Sequence, residues 1–568
     1  MAVKSPPDAG RTPAPDGGGR ASGLARAGAV MAAGTLFSRL TGFARSLVIS
    51  AALGTAVLGD TYTVASTLPT MMYILTVGGG LNSVFVPQLV RAMKQDEGGG
   101  EAYANRLLTL VMVTLGAIVA VAVLAAPLLV RLMSNTITQD EAANSVAVVF
   151  ARYCLPTIFF MGLHVVMGQI LNARGRFGAM MWTPVLNNVV VIATFGAFIW
   201  VYGAYRESGV SVGTIPPEGV RLLGAGTLLG LVVQALAMIP YLRETGFRFR
   251  PRFDWKGQGL GRTVRLAKWT VLFVLANQAG ATVVTQLATA AGEASGKEGA
   301  GFTAYTNAQL IWGMPQAIIT VSVMAAVLPR LSRAAQDGDP GAVRDDISRA
   351  LRTSAVAIVP VAFAFLALGL PMSLLLFSGV GPEAARGMGF ILMAFGLGLV
   401  PYSVQYVVLR GFYAYEDTRT PFLNTLAVAG VNGAAAVACY LLLPAAWAVA
   451  GMAASYGLAY AVGVGIAWKR LRDRLGGDLD GPRVVRTYAR LCAAAVPAAL
   501  VGGTAAFAVT HGLGDGVLGS VTALAVGGSV LLGVFVVMAK RLRVEEFDAL
   551  AGLVRGRLGG ARSGAAVR

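Results

Sequence analysis

Long apolar segments alternate along the chain with short polar segments that carry most of the charged residues. The hydrocarbon core of a bilayer is about 30 Å thick, and roughly 20 residues of α-helix are needed to cross it. The apolar segments predict fourteen transmembrane helices, at residues 28–53, 58–88, 105–130, 143–171, 181–203, 221–242, 267–292, 302–329, 351–378, 387–410, 420–443, 446–468, 487–511 and 517–540. The predicted fold class is therefore an all-α polytopic membrane protein.

The positive charges predict how the chain is oriented in the membrane. Of its 46 Lys and Arg residues, 38 fall on one side of the predicted helices and five on the other, while Arg39, Arg45 and Arg152 fall within helices. Lys and Arg are enriched in cytoplasmic loops, so both termini are predicted to be cytoplasmic. One missed helix would place every later loop on the opposite side of the membrane and remove this bias in the positive charges.

Two short sequence patterns recur about 240 positions apart and indicate an internal duplication. Pro-Gln-Leu-Val-Arg-Ala at 87–92 follows predicted helix two, and Pro-Arg-Leu-Ser-Arg-Ala at 329–334 follows helix eight. Pro-Val-Leu-Asn at 184–187 begins helix five, and Pro-Phe-Leu-Asn at 421–424 begins helix eleven. Their equal order predicts two related six-helix lobes around a central cavity, plus two extra C-terminal helices.

This organisation divides the chain into five parts. We predict a disordered cytoplasmic tail at 1–25, an N-lobe at 26–245, a C-lobe that starts with a basic cytoplasmic linker at 246–475, a pair of lipid-facing helices at 476–541 and a basic cytoplasmic tail at 542–568. The first segment is rich in Pro, Gly and Ala, which is typical of disordered chains, and it lacks the pattern of a secretory signal peptide.

Composition narrows the functional class. The chain is 55% hydrophobic and 13% charged, whereas soluble proteins average about 25% charged residues, which excludes an ordinary soluble enzyme. The net charge of +18 fits basic residues held on one side of a membrane better than a nucleic-acid surface. The three cysteines lack metal-ligand spacing, and no phosphate loop, metalloprotease pair or nucleophile elbow is present. We therefore expect a transporter, with no catalytic residue, metal or cofactor.

Two arginines lie deep within the first predicted helix. If that helix enters the membrane near residue 27, Arg39 lies roughly 18 Å along it and Arg45 about 9 Å further. An Arg at mid-membrane costs about 2.5–3.5 kcal/mol on insertion scales, so both need a watery cavity or anionic partners. We favour a pathway for an anionic substrate, and the alternative is structural pairing between helices. Asp60, at the outer start of helix two, is expected to pair with Arg45 in an outer gate.

Other polar residues within helices are less informative. His164 and His511 are interpreted as hydrogen-bonded helix residues rather than proton relays. Mid-helix amides such as Asn307 and Gln309 fit interhelical hydrogen bonds and cavity lining equally well.

Several segments of the sequence resemble those of a known family. Ser-Arg-Leu-Thr-Gly-Phe-Ala-Arg at 38–45 is similar to the first-helix motif of the MurJ (MviN) family. Gly-Phe-Tyr-Ala at 411–414, followed by Asp-Thr-Arg-Thr-Pro at 417–421, is similar to a second motif of that family. The resemblance extends in order over about residues 28–540.

The resemblance implies both a fold and an activity. The fold is that of the multidrug/oligosaccharidyl-lipid/polysaccharide exporter superfamily, in which two helices beyond the lobes form a groove for a lipid tail. The activity is flipping of lipid II, the undecaprenyl-pyrophosphate-linked peptidoglycan precursor, across the bacterial plasma membrane. Arg39 and Arg45 then bind the pyrophosphate and Asp60 is the matching acid. Expected partners are lipid II, membrane lipids and proteins of cell-wall synthesis or division, and the chain is expected to be a monomer.

The chain also departs from the family pattern. Tyr73 and Leu310 stand where relatives carry further arginines, which makes the cavity less cationic. Residues 267–292 contain no Asp or Glu, so sodium coupling of the kind that uses an acid in helix seven is not expected. The residues that we expect to line the cavity besides the two arginines are Tyr73, Asn82, Asn307 and Gln309.

Three other functions remain open at this stage. A flippase for another undecaprenyl-linked glycan, such as a teichoic acid or an exopolysaccharide, would handle the same lipid-linked phosphate. A cation-coupled multidrug antiporter would share the fold, but it would need acidic sites. A membrane scaffold without transport would leave the two buried arginines unexplained.

Overall fold

The structure is a computed structural model that describes residues 17–78, 101–176, 178–253 and 268–548. These residues form long helices joined by short loops, and no β-strand occurs among them. We number the membrane helices α1–α14 in chain order and call the side predicted to be extracellular the outer side. Asn82, one of the expected lining residues, lies outside the described residues.

Helices α1–α6 form the N-lobe. They are α1 (Gly17–Leu53), α2 (Val57–Tyr73, continued by a π-helical turn at Ile74–Gly78), α3 (Glu101–Leu124), α4 (Glu141–Cys154 and Thr157–Ala173), α5 (Gly178–Tyr202) and α6 (Pro217–Leu236 and Met238–Glu244). Shorter helices on the outer side are Ala126–Met133, Asn135–Gln139 and Tyr205–Ser208. Helix α5 packs between α1 and α6, and α2 packs on α4.

Helices α7–α12 form the C-lobe. They are α7 (Lys268–Ser295), α8 (Phe302–Pro315, a π-helical turn at Gln316–Thr320, and Val321–Gln336), α9 (Pro340–Leu376), α10 (Pro382–Gly396 and Leu399–Ala414), α11 (Arg419–Leu442) and α12 (Ala445–Arg474). A short 3₁₀ helix at Ser378–Val380 follows α9. Helix α11 packs between α7 and α12, and α10 packs on α9 and α12.

The last two helices pack on each other and on α9 of the C-lobe. They are α13 (Gly481–Leu513) and α14 (Val517–Arg541). Glycine allows their close approach, because a Cβ on Gly502 would lie 2.7 Å from the Cβ of Leu531. The helix faces that point away from α9 expose large apolar side chains, among them Leu500, Phe507 and Leu532. These helices therefore present apolar side chains on the surface away from α9.

The number of membrane-crossing helices is close to the predicted fourteen. Within the described residues, twelve helices are long and apolar enough to cross a membrane, and the two halves of α10, which meet at 47°, make a thirteenth. The remaining predicted span coincides with α2, which has 17 α-helical residues where roughly 20 are needed. The chain beyond residue 78 lies outside the described residues.

The breaks within helices have local causes. Pro156 lies between the halves of α4 and lacks the N–H that a continuous helix would use. The bend of α10 lies at Gly398, where a Cβ would come within 2.9 Å of the Cα of Gly457 in α12. Asp339 caps the N-terminus of α9, where its carboxylate accepts the N–H of Ala342 at 2.9 Å.

The predicted tail at 1–25 is wrong at its C-terminal end. Helix α1 begins at Gly17, so residues 17–25 are helical. They contain Ala, Leu and Arg, which favour helix, and they continue directly into the apolar part of α1. Continuation of a long helix therefore outweighs the low helix propensity of the four glycines there.

The start of the predicted basic linker runs along α3. The side chain of Asn105 donates to the carbonyl of Arg248 at 3.4 Å and accepts the N–H of Arg250 at 2.9 Å. Thr109 accepts the N–H of Arg252 at 3.0 Å. Main-chain groups thus hold the linker to the N-lobe, and the three arginine side chains remain exposed.

Candidate functional site

A cavity of about 580 Å³ lies between the two lobes, with α1 and α2 on one side and α8 on the other. Four of the predicted site residues line it: Arg39, Arg45, Asn307 and Gln309. The other described residues in its lining are uncharged. Positions almost 270 residues apart in the chain therefore meet around one space, and both formal charges in the described lining are positive.

The two arginines occupy different faces of α1. Six residues separate them, which corresponds to about 9 Å along the axis and a rotation of roughly 240°. Arg39 is exposed and Arg45 is half-buried. Among the described residues neither side chain has a hydrogen bond or an ion pair, and the Nε of Arg45 is buried without a partner. The structure therefore shows no interhelical partner for either arginine in the part of the chain that it describes, as structural pairing would require.

Arg45 also lines a second cavity, of about 340 Å³, inside the N-lobe. Tyr73 lies in the wall of this second cavity rather than in the central one. His164 lines it too, is 5% exposed, and has no hydrogen-bond partner at Nδ1 among the described residues. The interpretation of His164 as a hydrogen-bonded helix residue is therefore wrong for this nitrogen, because the packing of α4 places no acceptor or donor beside it.

Asp60 does not pair with Arg45. Its carboxylate instead accepts two backbone N–H groups at the start of α8, from Phe302 at 3.0 Å and from Thr303 at 2.7 Å. The helix N-terminus attracts the carboxylate because its first N–H groups lack intrahelical acceptors. The expected ion pair fails for a reason of depth, since Arg45 lies about 12 Å from the outer end of α1 whereas Asp60 is in the first turn of α2.

Glycine makes the approach of Asp60 to α8 close. A Cβ on Gly301 would lie only 2.4 Å from Oδ2 of Asp60, and a Cβ on Gly292 of α7 would lie 2.7 Å from the Cα of Gly301. The carboxylate is 5% exposed. Asp60 therefore links the two lobes through backbone donors, a partner type that the sequence does not reveal.

Further polar contacts join the lobes near Asp60. Tyr205 donates to Glu298 at 2.5 Å, and Gln286 donates to the carbonyl of Leu132 at 2.7 Å. Two pairs of hydroxyls also meet, those of Ser134 and Thr289 at 2.8 Å and those of Thr63 and Thr303 at 2.9 Å. Asn307 donates to Ser50 at 2.9 Å and accepts from Ser46. Each of these contacts lies in the outer half of the molecule. We call this set, with the Asp60 contacts, the outer seal.

Comparison with known proteins identifies the family. The sequence model for "Lipid II flippase MurJ" matches residues 49–527. A protein of Rhizobium meliloti (strain 1021), named "Probable lipid II flippase MurJ", is 29% identical over 475 residues, which cover 83% of this chain and 85% of that protein. The "Lipid II flippase MurJ" of Burkholderia cenocepacia is 25% identical over 476 residues, covering 81% of this chain and 86% of that protein.

Solved structures agree on the fold. A structure described as "Lipid II flippase MurJ, inward closed conformation" superposes with a TM-score of 0.68 at 17% identity and covers 90% of this chain and 99% of that chain. An inward-facing multidrug resistance transporter of the MATE family gives a TM-score of 0.59 at 18% identity, covering 77% of this chain and 94% of that chain. The lobes, the central cavity and the family match agree, and the chain belongs to the MurJ family of lipid II flippases.

Proposed function

We propose that this multi-pass membrane protein flips lipid II from the cytoplasmic to the outer leaflet of the bacterial plasma membrane by alternating access. The observation that carries the proposal is the pair of arginines in the cavity between the lobes, Arg39 and Arg45, which have no hydrogen-bond or ion-pair partner among the described residues. The diphosphate of lipid II carries the negative charge that such a cavity lacks. Both termini are proposed to be cytoplasmic, from the distribution of Lys and Arg.

Arginine suits this role because its planar guanidinium donates paired hydrogen bonds to phosphate oxygens and keeps its charge at all physiological pH values. Arg39, the exposed residue, meets the diphosphate first. Arg45 lies about 9 Å deeper along α1 and receives it as the headgroup moves inward. Each contact replaces hydration that the phosphate loses when it leaves the aqueous headgroup region.

The outer seal supports a conformation that is closed towards the outside. In the proposed cycle the headgroup enters from the cytoplasmic side, and the seal then opens to release it. Opening separates Asp60 from the N-terminus of α8, so the N–H groups of Phe302 and Thr303 lose their acceptor. Asp60 is proposed to act as a gate through these donors, and Arg45 to act on the substrate.

The polyprenyl tail stays in the bilayer during this cycle. We propose that it follows the surface of α13 and α14, which exposes large apolar side chains such as Leu500 and Phe507. These helices pack on α9 of the C-lobe. The tail would therefore move with the C-lobe, while the diphosphate is held by the N-lobe.

The test is the amount of lipid II on the outer leaflet of cells depleted of this protein. We expect exposure to fall on depletion and to return with the wild-type chain, but not with Arg39→Ala. Arg221→Ala is the matched control, because Arg221 is an exposed arginine at the outer start of α6 and its loss should leave rescue intact.

Two results would contradict the proposal in different ways. Unchanged lipid II exposure after depletion, with no second flippase in the cell, would move the substrate to another undecaprenyl-linked glycan. Full rescue by Arg39→Ala at normal expression would keep the substrate and remove this arginine from the site.

A further inference from the structure

The cavity inside the N-lobe lies directly beside the central cavity. It is enclosed by α1, α2, α4, α5 and α6, and four residues line both spaces: Arg45, Ile49, Tyr62 and Ser66. Its volume of about 340 Å³ has room for a group several times larger than a water molecule, which occupies about 30 Å³ in the liquid. A group of the substrate that passes Arg45 would enter this space.

Two buried nitrogens in this cavity lack partners. The Nε of Arg45 and the Nδ1 of His164 are inaccessible to solvent and form no hydrogen bond with any of the described residues. Most buried side-chain polar atoms in proteins are paired, so these two nitrogens, together with the unpaired Oδ1 of Asn187 in the same wall, indicate a polar ligand that is absent. By contrast, the hydroxyls of Tyr62 and Thr227 in the same wall pair with each other at 2.9 Å.

The charge of the wall favours an anion. Among the described lining residues Arg45 is the only one with a permanent charge, and none is a carboxylate. The titratable groups that face the cavity are Arg45 from α1, Tyr62 and Tyr73 from α2, and Cys154 and His164 from α4. Helices α5 and α6 contribute only neutral groups such as Asn187 and Gln234.

We propose that this cavity is a second oxyanion subsite, in which Arg45 and His164 together hold a phosphate or carboxylate group of the substrate. This proposal rests on the proposed function and adds a second binding position for the substrate to it. Of the two cavities, Arg39 lines the central one, whereas Arg45 lines both. The guanidinium of Arg45 donates to the anion from α1, and the imidazole of His164 donates from α4. His164 is thus a substrate-binding residue.

The imidazole gives this subsite a pH dependence. An arriving oxyanion favours the protonated ring, which donates a charge-assisted hydrogen bond. Binding therefore takes up a proton at neutral pH, and affinity rises as the pH falls. Arg45 keeps its charge throughout this range and contributes no such dependence.

The chain offers a matched control for the test, because it contains only two histidines. His511 lies near the end of α13, is exposed, and stacks on Phe507 with ring centroids 6.1 Å apart. The full-length protein, purified in detergent, is titrated at pH 6 and pH 8 with undecaprenyl diphosphate as the phosphate probe. The lipid-free muramyl pentapeptide serves as the carboxylate probe.

We expect the wild type and His511→Gln to bind the diphosphate probe more tightly at pH 6 than at pH 8. His164→Gln should bind it about tenfold more weakly at pH 6, equivalent to ~1.4 kcal/mol, and should lose the pH difference. His164→Lys should regain affinity without regaining the pH difference, which a merely structural role would not produce. The same pattern with the pentapeptide instead would assign the subsite to the peptide carboxylate.

Wild-type affinity for both probes in His164→Gln, with the pH difference intact, would overturn the subsite. If the wild type bound neither probe while remaining folded, the proposed function itself would fail. If Arg39→Ala loses binding while His164→Gln binds as the wild type does, the proposed function is retained and only the second oxyanion subsite is ruled out.

Discussion

The two lobes contain six helices each, but they present different chemistry to the cavity between them. The N-lobe contributes two arginines, Arg39 and Arg45, whereas the described lining from the C-lobe is uncharged and includes Asn307, Gln309 and Tyr402. Behind the C-lobe wall, Trp312 packs against Phe395 and Tyr402 with ring centroids 5.3 and 4.8 Å apart. The two lobes thus share a six-helix arrangement, and in the proposed function one of them holds the charged part of the substrate.

The corresponding helices α2 and α8 nevertheless share a feature of the backbone. Each contains a proline, Pro69 or Pro315, and each continues into a π-helical turn, Ile74–Gly78 or Gln316–Thr320. Proline removes a helical hydrogen bond and π turns widen the helix, features that recur at functional sites. These two helices of the cavity wall can therefore bend at similar depth, whatever the charge on their lobe.

The largest expected effect comes from moving the positive charge between lobes. Arg45→Ala should reduce transport roughly 10- to 100-fold, because a hydrogen bond to a charged group contributes about 1.5–3 kcal/mol. Adding Leu310→Arg, which puts a cation on the C-lobe wall of the same cavity, should not restore it. Lipid II exposure in depleted cells measures both variants.

Restoration by the double variant would contradict the assignment of the diphosphate to the N-lobe. Leu310→Arg alone is the control for folding and membrane insertion. Arg45→Lys should give an intermediate rate, because lysine keeps the charge and loses the paired donors.

Much of this asymmetry could be predicted from the sequence. Hydropathy and the placement of Lys and Arg are local properties, so they predicted the helix order and drew attention to Arg39 and Arg45. The partner of Asp60 could not be predicted, because it consists of backbone N–H groups about 240 residues away. The unpaired Nδ1 of His164 could not be predicted for a similar reason, since whether a buried nitrogen has a partner depends on how α4 packs against its neighbours.

A moderate effect is expected at the outer seal, where the lobes meet through Asp60. Gly301→Ala places a Cβ within 2.4 Å of the carboxylate, and the backbone of residue 301, at φ −108°, tolerates alanine. The carboxylate must therefore move away from α8 and the seal should weaken. Disulfide formation between Ser134→Cys and Thr289→Cys, whose hydroxyls lie 2.8 Å apart, should then fall several-fold.

The cross-linking pair is introduced into a chain whose three native cysteines are replaced by serine. Gly430→Ala serves as the control, because nothing lies within 4 Å of a Cβ at that position in α11. Equal cross-linking in both variants would mean that the seal does not depend on the contact between Asp60 and α8.

The smallest effect is expected in the loops opposite the outer side, where the two lobes fix equivalent loops with opposite charges. In the N-lobe, Arg174 after α4 donates to the carbonyl of Thr245 at 2.7 Å. In the C-lobe, Asp417 after α10 accepts from the N–H and hydroxyl of Thr420 and from Arg474, at 3.0, 2.8 and 3.0 Å. Burial acts to raise the pKa of Asp417, but these hydrogen bonds and the charge of Arg474 outweigh it and lower the pKa.

A lowered pKa means that Asp417 stabilises the folded chain above the unfolded pKa of about 3.9, and that this contribution is lost as the pH falls below it. Asp417→Asn should therefore lower the Tm at pH 7 by about 1 °C, and the difference should shrink as the pH approaches 3. Asp473→Asn is the control, because its carboxylate is exposed and lies 4.0 Å from Arg472. A Tm difference for Asp417→Asn that is the same at pH 7 and pH 3 would mean that the loop depends on the shape of the side chain and not on its charge.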